Sequence, residues 1–98
     1  MISVSIVEDD PDIRESLALL INGTPNFACI NTYNSCEKGI KGILKDPPDV
    51  VLMDIGLPGM SGLEGIKILK GKLPELDILV ITIQSDDSIV FDLSLIHI

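Results

Sequence analysis

Two short apolar runs place the strongest limit on how this chain of 98 residues can fold. Residues 50–53 (VVLM) and 78–81 (ILVI) are too short for helices and show no alternation of polar and apolar side chains. A strand of this kind is buried on both faces, as in parallel sheets that helices cover on each side. The sequence therefore predicts an α/β fold, with residues 2–7 and 27–30 as two further strands.

Helix signals lie between and after these strands. We expect helices to begin at four places: Pro11, Ser35, Leu63 and Ser85. In the first helix, which Asp10 is placed to cap, apolar residues recur at helical spacing. These residues are Ile13, Leu17, Leu20 and Ile21. The order β-α-β-α-β-α-β-α, about four units, predicts a doubly wound parallel sheet.

The charge and composition of the chain limit its partners. The formal net charge is −8, and because phosphate contacts need cationic side chains, we expect no nucleic-acid contact from this segment. No apolar run reaches the roughly 20 residues of a membrane helix, and no signal peptide is expected. Cys29 and Cys36 lack metal-site spacing, so we interpret them as small buried residues of a reduced, cytoplasmic protein.

Acidic side chains follow two of the predicted strands. Glu8 and Asp9 come after the first strand, and Asp54 comes after the third. Ligands bind beyond the carboxyl ends of strands in such sheets, and three carboxylates that meet there would repel one another. A hard divalent cation such as Mg²⁺ relieves that repulsion. The alternative is that the first acids only cap a helix and that Asp54 only opens a turn.

Three segments together resemble the receiver domain of bacterial response regulators. They are residues 7–11 (VEDDP), 54–62 (DIGLPGMSG) and 80–82 (VIT), in order at the ends of strands one, three and four. The Asp-x-x-Leu-Pro-x-x-x-Gly loop is the most specific of the three. The resemblance implies a flavodoxin-like sheet with the strand order 2-1-3-4.

The resemblance also implies a phosphoacceptor role in a two-component phosphorelay. Asp54 would take a phosphoryl group from a histidine kinase or from a small donor such as acetyl phosphate. Asp9 would be the principal Mg²⁺ ligand, and Glu8 would act through ordered water. The Asp54 carboxylate and the main-chain carbonyl of Gly56 would complete the metal site. Such a domain assists its own phosphorylation without being a conventional enzyme.

Further positions match residues that receiver domains use for switching. Thr82 resembles the switch hydroxyl that hydrogen-bonds the phosphoryl group. Gly56 and Gln84 occupy the variable positions that tune the lifetime of the aspartyl phosphate. Pro58, Gly59 and Gly62 are interpreted as loop geometry. Receiver switching also uses a Lys on a fifth strand, which would lie beyond the end of this chain.

The end of the chain departs from the family pattern. We expect residues 1–92 to form a partial receiver domain, truncated before strand five, and residues 93–98 to be an atypical tail. The fourth strand would then be an exposed edge, which favours aggregation, and the phosphorylated chain would not switch. His97 lies in this tail and is given no role.

Two other functions stay open at this point. An Mg²⁺-dependent phosphatase with an aspartyl nucleophile usually carries a second acid two positions after that nucleophile, where this chain has Gly56. A pseudo-receiver would bind proteins without being phosphorylated. For a full-length parent, the resemblance allows a phosphorylation-dependent homodimer and a helix-turn-helix output module that regulates transcription.

Overall fold

The computed structural model describes residues 1–85 and 91–97, with side chains described for residues 1–81. This part of the chain forms five strands and three helices. In chain order they are β1 (Ile2–Val7), α1 (Pro11–Asn22), β2 (Phe27–Tyr33), α2 (Cys36–Lys45), β3 (Val50–Asp54), α3 (Gly62–Lys72), β4 (Asp77–Ser85) and β5 (Phe91–His97).

The sheet has the doubly wound topology that the sequence predicts. Its strand order is β2-β1-β3-β4-β5, so the four parallel strands follow the expected order 2-1-3-4. The pairing of β1 with β3 runs from Val4 opposite Val50 to Val7 opposite Met53. Because these strands are parallel and adjacent, their carboxyl ends meet at one edge of the sheet.

The last part of the sheet differs from the prediction. Instead of opening a helix, Ser85 ends β4, and β5 runs antiparallel to β4. Residues 86–90 of the predicted helix lie outside the described residues. The prediction of a helix from Ser85 is wrong because residues 91–95 (FDLSL) alternate apolar and polar side chains, a period that suits a strand. The expected exposed edge of β4 is wrong too, since residues 91–97 cover it.

Apolar side chains pack on both faces of the sheet. The larger cluster lies on the side of α2 and α3 and includes Val7, Ile43, Met53, Leu69 and Ile78. The smaller cluster lies on the side of α1 and includes Val4, Ile6, Leu52 and Ile81. Burial on both faces is the reason that β3 and β4 show no alternation of polar and apolar residues.

The first helix begins as predicted but is only partly covered. Asp10 caps it, because its Oδ1 accepts hydrogen bonds from the N–H groups of Asp12 and Ile13 at 2.9 and 3.3 Å. Ile21 packs against the smaller cluster, whereas Leu20, at the same helical spacing, is 66% exposed. The spacing therefore identifies the helix but not how completely the sheet covers it.

The other two helices also begin at capping side chains. Ser35 caps α2, as predicted, and Ser61 caps α3 by accepting a hydrogen bond from the Glu64 N–H at 3.3 Å. Of the two cysteines, Cys36 is fully buried, as interpreted from the sequence, while Cys29 is half-buried, and both thiols are free. Among the described residues, no helix has the length and apolarity needed to cross a membrane.

The first residue of α3 lies very close to the end of β3. A Cβ atom on Gly62 would overlap the carbonyl oxygen of Asp54 and would lie 2.7 Å from the Cα of Ile55. Since both atoms belong to the main chain, they cannot move aside as a flexible side chain could. Glycine therefore permits α3 to start directly against the strand end that carries Asp54.

We expect Gly62→Ala to lower the free energy of unfolding by about 1–3 kcal/mol, because the added methyl group must push α3 away from β3. Gly71→Ala is the matched control in the same helix, since a Cβ atom there meets nothing within 4 Å. It should raise the free energy of unfolding by up to about 1 kcal/mol. Urea unfolding followed by circular dichroism measures both changes, and equal effects would contradict the prediction.

Candidate functional site

Three carboxylates lie together at the carboxyl ends of β1 and β3. Val7 pairs with Met53, so Glu8 and Asp54, which directly follow them, lie side by side. Asp9 belongs to the same turn as Glu8. Each of the three residues offers a carboxylate oxygen, and these oxygens all lie within 4.8 Å of one another. The structure thus brings together the three acids that the sequence analysis singles out.

The cluster is closed on one side and open on the other. Glu8 is only 3% exposed, Asp54 is half-buried and Asp9 is exposed. Burying an ionised carboxylate is costly unless a proton or a cation neutralises it. The exposed side of the cluster leaves room for ions and water to reach it.

Burial is the main reason that the pKa of Glu8 rises from 4.5 to about 8. A hydrogen bond with the Asp54 carboxyl group and the negative charges of Asp54 and Asp9 act in the same direction. The N–H of Asp9, which donates to Glu8 Oε2 at 3.2 Å, acts in the opposite direction. In the absence of a cation, Glu8 therefore holds a proton at neutral pH and shares a hydrogen bond with Asp54.

The donor set suits a hard divalent cation. Carboxylate oxygens are the ligands that such cations prefer, and a cation would replace the proton on Glu8. It would also offset the repulsion among the acids, which is about 4 kcal/mol for one pair of charges at about 4 Å and an effective dielectric constant near 20. The cluster is therefore able to bind a metal ion.

Without divalent cations, we expect the free energy of unfolding to fall as the pH rises from about 5 to about 8. The folded chain keeps the Glu8 proton up to about pH 8, whereas the unfolded chain releases it near 4.5. Raising the pH across this window therefore favours unfolding, by at most about 1.4 kcal/mol per pH unit for one proton. Urea unfolding in EDTA at a series of pH values measures the slope.

Glu8→Gln is the control for this slope, because glutamine keeps the shape of the side chain and does not ionise. The substituted chain should lose most of the pH dependence over the same window. A wild-type stability that stays level or increases with pH would show that Glu8 does not carry the raised pKa.

The turn after β3 orients Asp54. Its Oδ1 accepts a hydrogen bond from the N–H of Gly56 at 2.9 Å, the local bond that Asp side chains often make two residues ahead. The N–H of Ile55 donates to the carbonyl of Ile81 on β4 at 3.4 Å. Asp54 is thus held by its own turn, and that turn is held by the neighbouring strand.

The far end of this loop is attached to α2. Gly59 has a φ of 75°, a left-handed conformation that favours glycine, so its interpretation as loop geometry is confirmed. The N–H of the next residue, Met60, donates to Glu37 Oε1 at 3.1 Å. Glu37 could not be identified from the sequence, because no local pattern shows which residue of another helix faces the loop.

Arg14 is a second residue that the sequence analysis missed. It lies in α1, and its Nη1 donates a hydrogen bond to the carbonyl of Glu8 at 2.8 Å. A signal was available, since Arg14 is the only arginine in a chain of net charge −8 and follows the acidic strand end by one to two helical turns. A single arginine this close in sequence to a group of acids could have been predicted to contact the segment that carries them.

The remaining predicted positions lie on β4 and β5. Ile81 pairs with Asp54, so Thr82 is the next residue of β4 beyond the level of Asp54. The side chains of Thr82, Gln84 and His97 lie outside the described residues. The roles of Thr82 and Gln84 therefore stay predictions.

Comparison with known proteins identifies the family of the chain. The family described as “Response regulator receiver domain” matches residues 4–94. The chain belongs to this family. The resemblance seen in the three sequence motifs is confirmed, and this receiver domain carries its acidic cluster where strands β1 and β3 end.

The curated relatives are longer than this receiver domain. Transcriptional regulatory protein LnrK of Bacillus subtilis (strain 168) is 31% identical over 90 residues, which are 92% of this chain and 41% of that protein. A protein-glutamate methylesterase/protein-glutamine glutaminase 1 of Syntrophus aciditrophicus (strain SB) is 34% identical over 80 residues, or 82% and 23% of the two proteins. The chain thus spans less than half the length of these relatives.

Solved structures share the fold. A two-component response regulator of the LuxR family from Aurantimonas sp. SI85-9A1 matches with a TM-score of 0.81 at 26% identity, covering 87% of this chain and 61% of that chain. The response regulator domain of Thermotoga maritima CheB matches with a TM-score of 0.80 at 22% identity, covering 90% and 65%. The flavodoxin-like fold predicted from the sequence is confirmed.

Proposed function

We propose that this receiver domain accepts a phosphoryl group on Asp54 and that, in a full-length parent, this phosphorylation switches an output in a two-component phosphorelay. The observation that carries the proposal is the acidic cluster, in which oxygens of Glu8, Asp9 and Asp54 lie within 4.8 Å of one another. Membership of the family supports the same role, because receiver domains take phosphoryl groups from histidine kinases and small phosphodonors.

The residues present fit Mg²⁺ as the cofactor. Glu8, Asp9, Asp54 and the main-chain carbonyl of Gly56 would hold the ion, with Asp9 as the principal ligand and Glu8 acting through ordered water. The burial of Glu8 and its closeness to the Asp9 and Asp54 carboxylates support this assignment, because a cation would offset the cost of burying these charges next to one another. When bound, Mg²⁺ would neutralise charge that develops on the phosphoryl oxygens.

Asp54 would act as the nucleophile. One of its carboxylate oxygens attacks phosphorus in line and forms an aspartyl O–P bond. The bond that breaks is the N–P bond of a phosphohistidine or the acyl O–P bond of acetyl phosphate, and the histidine or acetate leaves with the electron pair. The N–H of Gly56 donates a hydrogen bond to Oδ1 of Asp54 and so keeps the carboxylate oriented during this step. The domain contributes positioning and charge without being a conventional enzyme.

Two positions on β4 and one in the turn after β3 complete the proposal. Thr82 is proposed as the switch hydroxyl that hydrogen-bonds the phosphoryl group, and Gly56 and Gln84 as the positions that tune its lifetime. The register of β4 supports the roles of Thr82 and Gln84, because Ile81 lies opposite Asp54 and the strand continues beyond it.

The proposed partner is a histidine kinase or a small donor such as acetyl phosphate, in the cytoplasm. The free thiols of Cys29 and Cys36 are consistent with a reducing compartment. In a full-length parent we propose a phosphorylation-dependent homodimer and an output that regulates transcription, as the names of several relatives suggest. This segment is not expected to contact nucleic acid, because its net charge is −8.

We expect acetyl phosphate with Mg²⁺ to add one phosphoryl group to Asp54. Asp54→Asn keeps nearly the same shape but lacks the nucleophilic carboxylate, so it should abolish the reaction. Asp12→Asn is the matched control, because it makes the same change at an exposed acid in the first turn of α1 and should leave phosphorylation intact. Mass spectrometry of the intact chain and its peptides measures the number and position of the phosphates.

The alternatives give different results in this experiment. Phosphate on Ser61 or His97, or on the Asp54→Asn chain, would refute the role of Asp54. Absence of phosphate from every chain would favour a pseudo-receiver. Continuous release of phosphate from a phosphomonoester would favour a phosphatase, although Gly56 stands where such enzymes usually place a second acid.

A further inference from the structure

Arg14 holds the turn that carries two of the three acids. Its Nη1 donates to the carbonyl oxygen of Glu8 at 2.8 Å and to that of Asp9 at a longer 3.4 Å. Guanidinium groups usually pair with carboxylates when these are near. Within residues 1–81, the hydrogen bonds of Arg14 go to these main-chain carbonyls and not to the carboxylates of the cluster.

These two carbonyls belong to the peptide groups on either side of the Asp9 Cα atom. Because peptide groups are planar, the orientation of both groups sets the φ and ψ angles of Asp9 and the direction of its Cα–Cβ bond. Glu8 has a restraint of its own, since its N–H donates to the carbonyl of Tyr33 on β2 at 2.9 Å. Asp9 lies beyond the strand and is exposed, so it depends more on Arg14.

We propose that Arg14 is a positioning residue that directs the Asp9 carboxylate towards Mg²⁺. This inference rests on the proposed function, in which Glu8, Asp9 and Asp54 bind the ion. Arg14 touches neither the ion nor the phosphoryl group and acts through the main chain of its neighbours.

The charge and the hydrogen bonds of Arg14 have opposite effects on metal binding. The positive charge alone repels a divalent cation, so loss of that charge would tighten Mg²⁺ binding. The hydrogen bonds hold a ligand in place, so their loss would weaken binding. The direction of the change therefore separates positioning from electrostatics.

The test is the Mg²⁺ affinity of the chain, with MgCl₂ as the titrant in isothermal titration calorimetry. Arg14→Met should weaken binding by about 10-fold or more, the usual effect of removing a residue that orients a metal ligand. Arg14→Lys keeps the charge but is one bond shorter and lacks the planar fork, so it should also weaken binding. Lys72→Met removes a cation at the end of α3 and should change the affinity less than about twofold.

Urea unfolding of each variant gives the fraction folded and identifies a purely structural role. Such a role would shift the unfolding midpoint and leave the Mg²⁺ affinity of the folded chain unchanged, which would overturn the inference. Unchanged or tighter binding in folded Arg14→Met would also overturn it, while leaving the proposed function intact. If Arg14→Met does not fold, Arg14→Lys decides by the same comparison. A wild-type chain that binds no Mg²⁺ would overturn the inference and the proposed metal site together.

Discussion

The parallel pairing of β1 with β3 is the constraint on which the rest of this structure depends. It places Val7 opposite Met53, so that the next residues, Glu8 and Asp54, lie side by side at the ends of the two strands. A shift of one residue would move the two acids about 3.3 Å relative to each other along the strands. That shift is more than half of the 4.8 Å that encloses the carboxylate oxygens of the cluster, so the cluster depends on this register.

The apolar clusters on the two faces of the sheet make this arrangement possible, because they stabilise a register that brings like charges together. Burial and the neighbouring carboxylates raise the pKa of Glu8 to about 8, so that without a cation a proton on Glu8 relieves part of the repulsion. A proton and a divalent cation compete for the same oxygen atoms. The protonation of Glu8 and the cation affinity of the cluster thus have the same cause, which is the burial of carboxylates close to one another.

Features that depend on local patterns could be predicted from the sequence. The apolar runs of β3 and β4, the Asp10 and Ser35 caps and the acids at the strand ends all belong to this group. The position of Ser85 at the end of β4 could not be predicted from its neighbours in sequence, because a serine followed by two acids also favours a helix start. Ser85 instead pairs with Phe91 in the antiparallel ladder of β4 and β5, a contact outside the few residues that define a helix start, and this pairing overrides that local preference.

The contacts that hold the site all involve main-chain atoms, which leave no pattern in the sequence at the positions that they restrain. Arg14 donates to carbonyls of the β1–α1 turn, Glu37 accepts from the N–H of Met60, and α3 rests against main-chain atoms of the β3 end. Main-chain donors and acceptors are the same at every residue, so such bonds leave no motif at the position they restrain. They fix the backbone without neutralising the acids. The repulsion among the acids is therefore left for a cation to relieve when it binds. Ion pairs with the same side chains would already have relieved part of that repulsion and would have weakened cation binding.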